Sequence, residues 1–87
     1  MKNTTEIINQ IIHNYEFNCS QNEFWLKHAE MEKNYGATKK AIRESESIAE
    51  SYNERNNELV KLYAFVKEIG VMDACRELYD LHKKNAQ

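Results

Sequence analysis

The chain has 87 residues, a formal charge of −2, no proline and two glycines. This length supports one small domain with a thin core, and such domains lean on staples or partners. Two cysteines without metal-like spacing, a pI near 5.9 and no long apolar run argue against a disulfide framework, generic attraction to nucleic acid and a membrane span. The N-terminus leads into a run too broken by Asn, Gln and His for a signal-peptide core, so a cytoplasmic protein with free thiols and no cofactor is expected. The Asn/Lys/Ile bias is what an AT-rich genome encodes, and small lone domains of this kind are frequent in phages and mobile elements.

Without Pro or Gly punctuation, long helices are favoured over a sheet. The expected fold is all-α: a small antiparallel bundle of three to four helices built around one long central helix, forming a single domain over residues 1–87. The first predicted helix starts at Asn3, capped with Glu6 three residues on, and carries Ile7, Ile8, Ile11, Ile12 and Tyr15 on one face. Phe17 to Ser20 interrupts that stripe, and Ser20-Gln-Asn-Glu23 reads as a second capping box, so a separate second helix is expected to present Phe24, Trp25, His28 and Met31. The competing reading is one kinked helix through both segments. Gly36 supplies a left-handed stop in either case.

The next predicted helix, Thr38 to Ile69, is the most informative segment, because its middle from Arg43 to Asn57 holds almost no apolar residues. A helix survives in water by burying one face, so a polar middle is held up by its ends or paired with another molecule. Its apolar positions fit a seven-residue spacing in two series: Ala41, Ile48, Arg55, Leu62 and Ile69, and Ser45, Tyr52, Leu59 and Val66. Gly70 is expected to end it, and a last helix from an Asp73 cap to about Lys84 carries Ala74, Cys75, Leu78, Tyr79 and Leu81. Short connections make sequential helices antiparallel. The expected core is Ile7, Ile8, Ile11, Ile12, Tyr15, Leu59, Leu62, Tyr63, Val66, Ile69, Cys75, Leu78 and Tyr79.

Four features carry functional expectations. Glu46, Glu50, Glu54 and Glu58 recur every four residues, stacking like charges about 6 Å apart along a helix at a cost of a few tenths of a kcal/mol per pair. A basic partner would remove that cost. Lys39, Lys40 and Arg43 sit in the first turns of the same helix, where the macrodipole prefers acids and an anion can bind. Trp25 beside Phe24 cannot share a narrow core stripe with it, which makes Trp25 a candidate interface anchor. His13, His28 and His82 share no ligand spacing, and no phosphate loop, nucleophile elbow or metal motif is present. Ala64 to Tyr79 loosely resembles a helix-turn-helix with Gly70 in its turn, but Asp73, Glu77 and Asp80 would meet phosphates on the recognition helix and Arg76 replaces the usual aliphatic residue.

These features point to a non-enzymatic protein-binding regulator or inhibitor, such as a phage or mobile-element protein that blocks a host factor. It is expected to self-associate as a dimer and to dock through Trp25, Glu46, Glu50, Glu54 and Glu58. The alternative is a nucleic-acid- or nucleotide-binding regulator using Lys39, Lys40 and Arg43.

Overall fold

The computed structural model describes residues 3–85, which form three helices: α1 (Thr4–Asn34), α2 (Lys39–Lys67) and α3 (Val71–Asn85). The expected domain limits at residues 1 and 87 lie outside the described residues. The fold is a small all-α bundle in which α1 and α2 form a long antiparallel hairpin and α3 packs at its open end. Helices of 31 and 29 residues are about 45 Å long at 1.5 Å per residue, which accounts for the 49 × 26 × 25 Å extents.

At the start of α1 the Asn3 side chain accepts from the Glu6 N–H at 2.9 Å, as the sequence predicts. The expected break at Phe17 to Ser20 does not occur, and α1 runs unbroken to Asn34. Its buried residues, Ile11, Tyr15, Asn18 and Ala29, fall on a four-three repeat that also takes in Asn22 and Trp25. Asn18 is only 7% exposed. The polar interruption therefore faces the neighbouring helix instead of marking a turn, and the Ser20 capping box loses to continued helical hydrogen bonding.

Gly36, at φ 74°, turns the chain as expected. The Tyr35 N–H donates to the Met31 carbonyl and the Ala37 N–H to that of Glu32, which satisfies two of the helix's terminal acceptors. Thr38 then caps α2, its hydroxyl accepting from the Ala41 N–H at 3.2 Å. α2 buries Ser45, Ala49, Asn56, Val60, Tyr63 and Ala64. One predicted series, Ser45, Tyr52, Leu59 and Val66, does face inward. The other is displaced by one residue: Ala49, Asn56 and Tyr63 meet α1, while Ile48 and Leu62 stay 37% and 46% exposed. Arg55 lies on the surface, its guanidinium 4.9 Å from the Tyr52 ring.

α2 ends before Gly70. Glu68 takes the left-handed conformation at φ 57°, and the Ile69 N–H donates to the Ala64 carbonyl. The early turn brings Ile69 against the core. α3 also starts ahead of its expected Asp73 cap, at Val71, with the Gly70 carbonyl accepting from the Ala74 N–H. Asp73 lies in the first turn, where a carboxylate suits the positive end of the dipole.

The dense core lies at this three-helix end and consists of Ile11, Tyr15, Val60, Tyr63, Ala64, Ala74 and Leu78, with Ile7, Ile8, Ile12, Leu59, Val66 and Ile69 half-buried around it. Leu62, Cys75 and Tyr79, expected inside, are exposed. In α3 it is Ala74 and Leu78, one turn apart, that are buried in the core. Leu78 is 1% exposed, a burial that stabilises the fold by roughly 1.5–3 kcal/mol. None of the helices among the described residues is long and apolar enough to cross a membrane.

Candidate functional site

Toward the α1–α2 turn the apolar core gives way to polar contacts. The Asn22 amide donates to the Ala49 carbonyl at 2.7 Å, and the Ser45 hydroxyl donates to Glu32. Glu32 also lies 3.5 Å from His28. Asn56 donates to the Tyr15 carbonyl at 3.5 Å and to Cys19 Sγ at 3.3 Å, while its Oδ1 is buried without a protein partner. These groups hold the α2 middle in place and leave its outer side free. That is how a helix with a polar centre survives here.

The four glutamates do not form a straight row on the folded molecule. A four-residue step advances 400° around a helix, so each carboxylate is displaced by about 40° from the last and the row slants across α2. Glu46 reaches Lys33 at 3.9 Å and Glu58 reaches Lys61 at 3.5 Å. Glu50 and Glu54, between them, are exposed and have no ion-pair partner within 4 Å among the described residues.

Trp25 is half-buried in the hairpin seam, and its neighbour Phe24 is the more exposed, at 57%. Phe24 meets Trp25 edge-on at 5.4 Å and stacks on His28 at 6.2 Å, and Trp25 meets His28 edge-on at 5.3 Å. Trp25 thus serves as the base that props Phe24 outward. Lys39, Lys40 and Arg43 are all exposed at the start of α2, where the first turn holds no acid. Lys39 and Arg43 share a face, and Lys40 lies about 100° away from Lys39. The structure brings the glutamates onto one helix with the basic cluster but does not gather either set with Trp25 into one pocket.

Sequence reasoning missed two features. The first is the junction of the three helices: an enzyme would need a pocket of Cys75, Tyr79 and His82, which the sequence gives no reason to expect, and these three line a cleft of about 250 Å3 together with Tyr15, Cys19 and Asn56 among others. His82 Nδ1 is 3.0 Å from Glu16 and its Nε2 is 3.5 Å from Glu23, so one imidazole ties α3 to two carboxylates of α1. The hydrogen bond to Glu16 raises the His82 pKa against the opposing effect of burial. Burial likewise pushes the Cys19 thiol and the Tyr15 phenol above their ordinary values, which makes both poor nucleophiles at neutral pH. Among the described residues no group of three or more His, Cys, Asp or Glu is placed to hold a metal ion.

The second is a flank of the hairpin opposite α3. Phe17, Phe24 and Met31, seven residues apart on α1, are 54%, 57% and 52% exposed there, and Ile48 and Leu62 lie on the corresponding side of α2. The seven-residue interval in α1 was a signal available in the sequence. No protein-family model matches this chain, and searches of curated proteins and of solved structures find no match.

Proposed function

We propose that the chain is a non-enzymatic, self-associating regulator or inhibitor that binds a protein partner through the outer side of α2, of the kind phages and mobile elements use against a host factor. One observation carries the reading: Glu50 and Glu54 stand exposed and without ion partners among the described residues, at the centre of a helix whose inner side is already fixed by Asn56 and Ser45. Like charges at this spacing weaken the helix slightly, and a basic surface on a partner relieves them. Glu46 and Glu58, each close to a neighbouring lysine, form the rim of that patch. The non-enzymatic part is supported by His82, whose two nitrogens are both engaged in holding α3.

The test is charge reversal at Glu50→Lys/Glu54→Lys, with capture from a host lysate read by mass spectrometry and helicity read by circular dichroism. A protein recovered with the native chain and lost with the variant, at unchanged helicity, supports the reading. Equal recovery with both sinks it. A Lys39→Glu/Lys40→Glu variant in the same experiment separates this reading from the anion-binding alternative, which predicts loss only there and a steep salt dependence.

A further inference from the structure

The exposed flank has the form of a seam without an occupant. On α1, Phe17, Phe24 and Met31 repeat every seven residues, with Gln21 and His28 between them at the three- and four-residue steps of a packed helix. On α2, Ile48, Arg55 and Leu62 keep the same interval one residue ahead of the positions that face α1. Between the helices on this side a groove of about 230 Å3 is lined by Ile7, Gln10, Ile11, Asn14, Leu59 and Leu62, with no residue of α3. The same sequence therefore encodes two stripes per helix, and the fold of one chain consumes only one of them.

Area and charge say what covers the second. A folded chain of 10.3 kDa exposes about 5,400 Å2, whereas this one exposes 6565 Å2. The excess, about 1,200 Å2 summed over the whole elongated chain, is of the size that each protomer of a stable homodimer buries. From Ile7 to Met31 the α1 side of the flank carries no Asp, Glu, Lys or Arg, whereas the α2 side carries Glu44, Arg55 and Glu58, all exposed. Two identical chains, each acidic overall, can meet along the α1 side, which holds no carboxylate, without bringing like charges together. A hairpin of two near-equal helices is also the unit from which a two-fold axis builds a four-helix bundle.

We infer that this flank is the interface with a second copy of the chain, two hairpins meeting through Phe17, Phe24, Met31, Ile48 and Leu62 to form a four-helix assembly. This rests on the self-association in the reading above; the flank and the acidic face border each other at Glu58. It leaves Glu50 and Glu54 outside the interface.

Light scattering over a concentration series, at low and high salt, tests it on the full chain. The expected result is twice 10.3 kDa, retained in high salt because the contact is apolar. Phe24→Glu and Leu62→Glu, both at sites exposed in the single chain, should each give a monomer of unchanged helicity. A native chain that stays monomeric throughout overturns self-association. A dimer that survives both substitutions overturns only the choice of face. A variant that loses helicity is replaced by the milder Phe24→Ser or Leu62→Ser, read in the same way. Neither result depends on capture of the lysate partner, so the two readings fail separately.

Discussion

The two ends of the hairpin are held together by different physics. At the α3 end, Ile11, Tyr15, Val60, Tyr63 and Leu78 close a core by excluding water. At the turn end the buried set shrinks to Ala29, Ser45 and Ala49, and the helices are joined by Asn22 to Ala49 and Ser45 to Glu32. Apolar area scales with side-chain volume, while a hydrogen bond made on folding replaces one to water and contributes only about 1 kcal/mol net. One end should therefore open with the whole molecule and the other should open by itself.

The largest effect that would sharpen this contrast is Leu78→Ala. It should cost about 2–5 kcal/mol in denaturant unfolding and release α3; a loss under 1 kcal/mol would mean that α3 contributes little to the core. Next, Asn22→Ala should cost about 0.5–1.5 kcal/mol. Hydrogen exchange should locate the change in the turn half, and acceleration spread evenly over both halves would break the contrast. Glu68→Gly relieves a left-handed non-glycine residue and should raise stability by up to about 1 kcal/mol, read as a higher denaturation midpoint.

The smallest effect is a pH dependence at the α3 end. His82 has its pKa raised in the folded state by Glu16, so the stabilisation it gives is fully present below its ordinary value near 6.5. It is lost as pH rises through the raised value. Protection from exchange in α3, taken relative to the intrinsic rate at each pH, should fall across that interval while that of the turn end stays constant, and His82→Asn should abolish the difference.

Much of the architecture was legible in local chemistry. Asn3, Thr38 and Gly36 mark helix ends because caps and left-handed turns act over three or four residues. What misled was polarity inside a buried stripe. Asn18 and Asn22 read as a break, although their amide groups face α2, and a periodicity count treats any Asn as solvent-facing. The same cause displaces one α2 series: a seven-residue spacing through Ile48 and Leu62 puts Arg55 inside, whereas it is Asn56, the next residue, that packs inward. Gly70 was the stronger sequence signal for the end of α2, and burial of Ile69 overrode it.

For the candidate site, the sequence showed which side chains carry charge but not which of them are neutralised. That Glu46 meets Lys33 depends on the turn folding α1 back along α2. The Phe17, Phe24 and Met31 repeat was written in the chain, yet its meaning rested on knowing that Asn18, Asn22 and Trp25 already occupy the seam.

The amide-lined seam also bears on alignment. A hairpin closed only by Leu and Ile could slide by one heptad and bury nearly the same area, leaving several alignments close in energy. Here a slip would strand the Asn22 and Asn56 amides and the Ser45 hydroxyl, at about 1–3 kcal/mol for each buried group left unpaired. The weak polar contacts that add little to stability are thus a lock on alignment, and they select one pairing of the two long helices from among many of similar greasiness.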